Sequence, residues 1–248
     1  MPPQRAPARQ LEPGPAEVER PRLRVVGLPP REEPHPDVAA SLLALAGGRR
    51  TVERGSLIYR SGDRLTSLFV VQSGLFKTCV SLEDGRSQVT GFQLSGEWLG
   101  LDSIGNGRHH SDAVALEDAT VCTVVYEELE DRLLESSELR HQFQRLMSRE
   151  IVRGHDMMLL LGSMCAEVRV ATFLLDLTQR LHARGSPATS VVLRMTRDEM
   201  GSYLGLKLET VSRMLSRMRD QGVLEVTQRQ IALLDMPALQ RLAHREER

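Results

Sequence analysis

The sequence predicts an α+β fold in successive parts: a β-rich antiparallel sandwich or barrel, a long helix, and a C-terminal helix-turn-helix followed by a β-hairpin. Three observations carry this reading. Between about Thr51 and Tyr126, short β-rich runs are punctuated by Gly55, Gly62, Gly74, Gly85, Gly96, Gly100, Gly105 and Gly107, the pattern of many short strands joined by tight turns. From Asp131 to Leu161, apolar residues recur at three- and four-residue steps. From Met195 to Leu234, two short helical patterns flank Gly205 and lead into two β-rich runs. The expected divisions are a Pro-rich tail over 1–40, the β domain over 41–130, the long helix over 131–165 and the helix-turn-helix domain over 166–248.

A chain of 248 residues can build one large or two ordinary domains with a substantial core. Lys plus Arg number 32 against 33 for Asp plus Glu, a formal charge of −1, so the whole chain is not a polycation. Affinity for a polyanion must come from a local patch, and Lys207, Arg213, Arg217 and Arg219 provide one. No run of eighteen apolar residues occurs, and the chain does not open on a basic-then-apolar signal segment. The expectation is a cytoplasmic protein without a membrane partner, its three cysteines reduced. Residues 1–36 hold ten of the twelve prolines and show no apolar periodicity, so the tail is expected to be disordered or loosely extended.

Strands are expected at Ser56 to Tyr59, Ser67 to Gln72, Leu75 to Ser81, Gln88 to Phe92, Asp112 to Leu116 and Ala119 to Val125. In the long helix, Met147, Ile151, Gly154, Met158 and Leu161 alternate steps of four and three, an a/d seam of coiled-coil type. Phe143, Leu146, Met157 and Leu160 make a second apolar stripe. Two stripes imply two partners, the β domain on one side and a second copy of the chain on the other. Gly154 carries no charge and lets two backbones approach, while Asp156 is expected to point off the seam.

Ala166 to Arg184 reads as a further amphipathic helix, ended by Gly185-Ser186-Pro187 before a strand from Ser190 to Met195. Thr196 and Glu199 then form an S/T-x-x-E capping box, in which each side chain satisfies an orphan backbone N–H at the start of a two-turn helix. Gly205 suits a left-handed turn, and the next helix begins near Leu208. Leu208, Val211, Leu215 and Met218 form its apolar face; Glu209, Ser212, Arg213, Ser216 and Arg217 line the other side. A polar helix face is ordinarily only a solvated face, but this composition fits base edges. Glutamate accepts from cytosine N4, arginine pairs bidentately with guanine O6/N7, and a small serine between them does not obstruct the approach. Lys207 stands where a Ser or Thr cap is preferred and opposes the helix dipole, at about 1 kcal/mol by ordinary capping magnitudes. Either a DNA phosphate supplies the compensation or the lysine is a tolerated surface residue. Val223 to Thr227 and Ile231 to Leu234 form the wing, with Arg229 at its tip, and Pro237 opens a final helix from Ala238 to His244.

At this point the residues resemble a family. Gly205-x-x-x-Glu209-Thr210-x-Ser212-Arg213 is similar to the recognition motif of the Crp/Fnr transcription regulators, with Glu, Ser and Arg where the Fnr branch reads its half-site. Gly62-Asp63 with Leu68-Phe69, the stretch from Gly91-Phe92 to Gly105, and Arg145-Leu146-Met147-Ser148 with Met157 to Leu161 extend the resemblance over roughly residues 41 to 245. It implies a jelly roll of the cyclic-nucleotide-binding type and a homodimer, acting as an activator on double-stranded palindromic DNA similar to TTGAT-N4-ATCAA. Anaerobic, redox or nitrogen-oxide-responsive genes are the implied targets. Glu209, Ser212 and Arg213 would read the site, with Lys207, Thr210, Ser216, Arg217 and Arg229 beside them. Leu208 fits a thymine methyl. The loop with Glu83, Asp84, Gly85 and Arg86 is a candidate RNA polymerase contact, a generic β-turn being the alternative description.

Ligands can be tested against the same resemblance. Cyclic-nucleotide binders carry Gly-Glu for the ribose and Arg-Ser/Thr for the phosphate; here Gly96-Glu97 is present, but His110 precedes Ser111 and Asp112 follows, a carboxylate that would repel the phosphate. Binding of cAMP is not expected. A [4Fe–4S] cluster needs four thiolates, and the resemblance to the Fnr branch implies that three of them would come from an N-terminal cysteine cluster. Residues 1–40 contain no Cys, Cys122 matches only the fourth ligand, and Cys79 and Cys165 do not match the others. His109 and His110 are adjacent and no H-x-H metal pattern follows, so neither a metal site nor a catalytic residue is expected. A single histidine can ligate haem axially, which leaves haem open. The rival reading is a cupin-like metal- or ligand-binding protein with an incidental winged helix; the Glu-Thr-x-Ser-Arg placement favours the regulator.

Overall fold

The computed structural model describes residues 47–81 and 85–244. The tail over 1–40, the opening of the β domain (41–46), and Glu83 and Asp84 of the candidate polymerase loop lie outside the described residues.

Among the described residues eight strands build the first half: β1 (Arg49–Val52), β2 (Leu57–Tyr59), β3 (Ser67–Ser73), β4 (Phe76–Ser81), β5 (Ser87–Gln93), β6 (Trp98–Leu99), β7 (Asp112–Ala115) and β8 (Ala119–Val125). They form two antiparallel sheets, β1-β8-β3-β6 and β2-β7-β4-β5, the arrangement of a jelly roll. Phe69, Val71, Leu99 and Val121 of the first sheet close a core with Tyr59, Phe76, Ala113 and Ala115 of the second. Gly74 turns β3 into β4 at φ +90°, where a Cβ would stand 2.6 Å from that of Ala119. Six strands lie where the alternation predicts them. β1 and β6 were not expected: β1 opens on Arg49-Arg50 at an exposed edge and β6 has two residues, so neither carries a hydrophobic period.

The single helix expected from Asp131 to Leu161 is two helices, α1 (Tyr126–Glu135) and α2 (Ser137–Ser163). Ser136 leaves helical geometry at φ −122°, ψ 111°, and its Oγ accepts the Leu139 N–H at 3.2 Å, so one residue ends α1 and caps α2. The expected second stripe is buried at Phe143 and Leu160 and half-buried at Leu146 and Met157. Phe143 and Leu146 pack on Leu68, Val70 and Val124 of the jelly roll, whereas Met157 and Leu160 join the C-terminal core.

The second half comprises α3 (Ala166–His182), β9 (Ser190–Val192), α4 (Arg197–Leu204), α5 (Leu208–Asp220), β10 (Leu224–Thr227), β11 (Gln230–Leu233) and α6 (Met236–Ala243). The three strands pair antiparallel in the order β10-β11-β9. Asp235 caps α6 by accepting the Ala238 N–H at 2.8 Å, and Pro237 occupies its first turn. The two halves share one hydrophobic core. Leu75, Val89, Phe92, Leu94 and Leu116 of the jelly roll pack with Phe173, Leu174 and Leu177 of α3 and Met200, Tyr203 and Leu204 of α4. No helix of the described residues is long and apolar enough to cross a membrane.

Candidate nucleic-acid interface

The interface begins with the first helix of the pair. Thr196 Oγ1 accepts the Glu199 N–H at 3.1 Å and Glu199 Oε2 accepts the Thr196 N–H at 2.7 Å, the reciprocal bonds of the expected capping box. Burial works to raise the Glu199 pKa, but hydrogen bonds from Lys77 and Thr196 outweigh it and hold the carboxyl below its ordinary value. Gly205 sits at φ +62°, ψ 37°, the left-handed end expected for α4. Gly201 is a second requirement that the sequence reading missed. A Cβ there would stand 2.6 Å from the Leu206 carbonyl oxygen, in a turn where the Leu206 N–H donates to the Gly201 carbonyl at 2.9 Å. The turn can therefore close only over a glycine.

α5 buries Val211, Leu215 and Met218, together with Met214. Leu208 is a correction to the expected apolar face. It is 42% exposed at the first helical position, outside the core and open toward whatever approaches the helix. Glu209, Arg213, Ser216 and Arg217 are exposed and Thr210 and Ser212 half-buried. Among the described residues Glu209 and Arg213 have no hydrogen-bond or ion-pair partner, so both are free for an incoming group. Arg217 is not: its Nε lies 3.2 Å from Glu167 Oε1 of α3, which ties it to the domain. Ser212 is also engaged, its Oγ accepting from Arg197 Nη1 at 3.2 Å. Arg197 at the start of α4 thus belongs to this face, although no periodicity marked it.

Lys207 precedes α5 in extended geometry without a side-chain cap; its carbonyl accepts the Thr210 N–H at 2.9 Å, which leaves the Leu208 and Glu209 N–H groups as the uncapped donors of the first turn among the described residues. Those donors and Lys207 together favour an anion. β10 and β11 form the wing. Thr227 pairs with Gln230 across a two-residue turn, Gln228 lies at φ +55°, and Arg229 is exposed at the tip, its carbonyl fixed by the Leu193 N–H at 2.8 Å.

A half-buried arginine sets the pose of this unit. Arg169 of α3 donates from Nη2 to the Leu161 carbonyl at 2.7 Å, from Nε to that of Met164 at 2.8 Å and from Nη1 to that of Leu204 at 3.1 Å. One guanidinium thus satisfies the open C-terminal ends of both α2 and α4.

The expected seam on α2 is partly redistributed. Ile151 is 58% and Met158 63% exposed, and Val152 and Leu159 beside them are exposed too. Gly154 is open, with nothing within 4 Å of a Cβ built on it. Met147 instead leans on the jelly-roll cluster, and Leu161 is half-buried near Gly205. Asp156 lies on the half-buried side, off the exposed stripe, where burial raises its pKa while His155 lowers it.

The residues that a ribose or a cyclic phosphate would meet already have partners within the protein. Glu97 is bound by Arg180 and Arg184; Asp112 Oδ1 accepts the Ser61 N–H at 2.7 Å, and Ser111 Oγ donates to Asp102 at 2.8 Å. His109 is buried and stacked on Tyr59 with ring centroids 3.7 Å apart; burial lowers its pKa, with Asp102 and Asp63 opposing. Cys79 and Cys122 are buried on strands of different sheets and Cys165 precedes α3. Among the described residues no three His, Cys, Asp or Glu side chains converge as a metal site. Gly85 and Arg86 are exposed after β4.

Comparison with known proteins agrees with this architecture. Residues 49–136 match the cyclic nucleotide-binding domain and residues 168–242 the Crp-like helix-turn-helix domain. The chain is 43% identical over 221 residues to the transcriptional regulatory protein btr of Bordetella pertussis, covering 89% of each. It is 40% identical over 195 residues to the fumarate and nitrate reduction regulatory protein of Escherichia coli, covering 79% of this chain and 78% of that one. The solved structure of FixK2 from Bradyrhizobium japonicum superposes with a TM-score of 0.73 at 34% identity, over 79% of this chain and 96% of that one. With both domains matched and relatives 40–43% identical over most of its length, the chain belongs to the Crp/Fnr family of DNA-binding transcription regulators.

Proposed function

We propose that the protein acts in the cytoplasm as a homodimer on a palindromic site of the Fnr type, similar to TTGAT-N4-ATCAA, and regulates anaerobic, redox or nitrogen-oxide-responsive genes as an activator. The single observation that carries the reading is the pair of free, exposed side chains Glu209 and Arg213 one turn apart on α5. Together they offer one group to each strand of a G·C pair, with Ser212 held between them by Arg197. Leu208, exposed at the start of the helix, suits the neighbouring thymine methyl. Lys207, Thr210, Ser216 and Arg229 flank the readers, with Lys207 and Arg229 toward phosphates. Arg217 supports the helix through Glu167.

Pairing of two chains is supported by the exposed stripe of Ile151, Val152, Met158 and Leu159 beside the open Gly154, with Met147 and Leu161 at its ends. A twofold dimer presents two α5 helices to half-sites one helical turn apart. RNA polymerase is the partner proposed for the loop around Gly85 and Arg86. The gene class rests on the names of relatives, among them the anaerobic regulatory protein of Pasteurella multocida, 41% identical over 191 residues. No cofactor is proposed: the chain has three cysteines and Glu97 is already bound.

A gel shift with the palindrome and with a shuffled duplex of the same composition tests the reading. Retardation of the palindrome at concentrations at least roughly 1,000-fold below those that shift the shuffled duplex is the expected result. Equal retardation of both would refute specific recognition. Light scattering of the ligand-free protein should give about twice the 27.7 kDa chain mass.

A further inference from the structure

Gly96-Glu97 is the pair that a cyclic-nucleotide binder would use for the ribose, yet here the carboxylate faces α3. Glu97 Oε2 accepts from Arg180 Nη2 at 2.7 Å and from the Leu94 N–H at 3.1 Å, while Oε1 accepts from Arg180 Nε at 3.1 Å and Arg184 Nη2 at 3.3 Å. Arg180 is 4% exposed and also donates to the Phe92 carbonyl at 2.6 Å and to Asp176 Oδ2 at 3.1 Å. Arg184 also donates from Nε to the Ser95 carbonyl. Two guanidinium groups of the DNA-binding half thus close on one carboxylate of the jelly roll.

Around this cluster the halves meet through directional contacts and through rings. Lys77 Nζ lies 2.7 Å from Glu199 Oε1, the Val89 N–H donates to Ser202 Oγ at 2.9 Å, and Gln88 donates to the Ser202 carbonyl. Phe92 stands edge-on to Phe173 and Tyr203, with centroids 5.9 and 5.2 Å away. Apolar burial is non-directional, so several docking poses could hide a similar area. A buried charge cluster is satisfied in one pose only, and a lost partner leaves an uncompensated charge.

We propose that Glu97, Arg180 and Arg184 form a ligand-independent latch, with Glu97 and Arg180 as positioning residues that set the winged helix on the jelly roll in a single orientation without a nucleotide. Both oxygens of Glu97 are occupied, so a ribose could bind there only by displacing the Arg180 and Arg184 guanidinium groups from the carboxylate. The jelly roll is then a scaffold for α5 rather than a receptor. Only the effect on DNA affinity rests on the DNA-binding reading.

Hydrogen exchange of the full-length protein tests the latch, because the Val89 N–H bridges the two halves while amides of the β3–β8 ladder lie inside one of them. Glu97→Gln should accelerate exchange at Val89 by about tenfold or more and leave the β3–β8 amides nearly unchanged, as for opening of the boundary alone. Glu97→Asp, which keeps the charge, should restore most of the protection and serves as the measured variant if the first does not fold. Palindrome affinity should fall with the Val89 protection. Cyclic AMP should leave wild-type exchange as it is. Unchanged Val89 exchange in Glu97→Gln, uniform acceleration that includes the β3–β8 ladder, or protection of the wild type by cyclic AMP that Glu97→Gln abolishes would each overturn the latch. Selective acceleration at Val89 in a protein that binds no DNA would sustain the latch and refute the DNA-binding reading.

Discussion

α5 and α2 each bury one face and leave another open, but the open faces differ in kind. On α5 the exposed groups include Glu209 and Arg213, charged and without partners among the described residues, and solvation alone would account for them. On α2 the exposed groups are Ile151, Val152, Met158 and Leu159, which water does not favour. The difference teaches that exposure marks a functional surface most directly when the exposed chemistry is unfavourable in water. The α5 face gains its meaning from the elements that aim it: the Gly201–Leu206 turn, the uncapped start at Lys207, and Arg169 joining two helix ends. Each face can be tested separately by a change that touches only one of them.

The largest effect is expected on α2. Ile151→Glu places a carboxylate on the apolar stripe, where it would meet its symmetry mate. It should yield a monomer by light scattering and weaken palindrome binding on the order of 100-fold or more, because each half-site then binds alone. Binding to an isolated half-site should change little. A monomeric variant with undiminished palindrome affinity would separate the α2 stripe from DNA binding. On α5 a smaller, sequence-independent loss is expected for Lys207→Ala, which should lower the slope of log affinity against log salt by about 1 for each chain on both palindrome and shuffled duplex. A loss confined to the palindrome would make Lys207 a base reader.

A weaker effect should appear with pH at the boundary between the halves. The Glu199 pKa is held below its unfolded value, which is about 4.5, so the carboxylate contributes stability that is complete above that pH and is lost as pH falls through the lower folded value. Acidification below pH 4.5 should therefore loosen the Lys77 contact, and Glu199→Gln should remove that part of the acid dependence of the melting temperature. An unaltered profile in the variant would contradict the assignment. Cys122→Ala is expected to do least. The thiol is buried within β8 as a small apolar group, so affinity for the palindrome should stay within about twofold in air and under argon.

Local signals explain what the sequence made legible. The Thr196–Glu199 box, the left-handed Gly205, the period of α5 and the alternation of the inner strands each depend on neighbours a few residues away. Other features were not legible. The Ser136 cap is local but is hidden by an apolar period that runs on through it, and β1 becomes a strand only by pairing with the distant β8. Arg180 occupies an apolar-stripe position of α3, seven residues after Phe173 and three after Leu177. A charge at such a position is a usable sign of a buried partner, but only the fold identifies that partner as Glu97. The placement of Leu208 outside the core follows from its being the first residue of α5, before the helix reaches the domain.

The most direct test of base reading by α5 is an anisotropy titration of wild type and Arg213→Ala on the palindrome and on duplexes with its guanine pair replaced. Arg213→Ala is expected to cost about 1–3 kcal/mol on the palindrome and almost nothing further once the guanine is gone, the signature of a single bidentate contact. Equal losses on the palindrome, the replaced duplexes and a shuffled sequence would show that Arg213 touches only phosphate and that this face does not read the site.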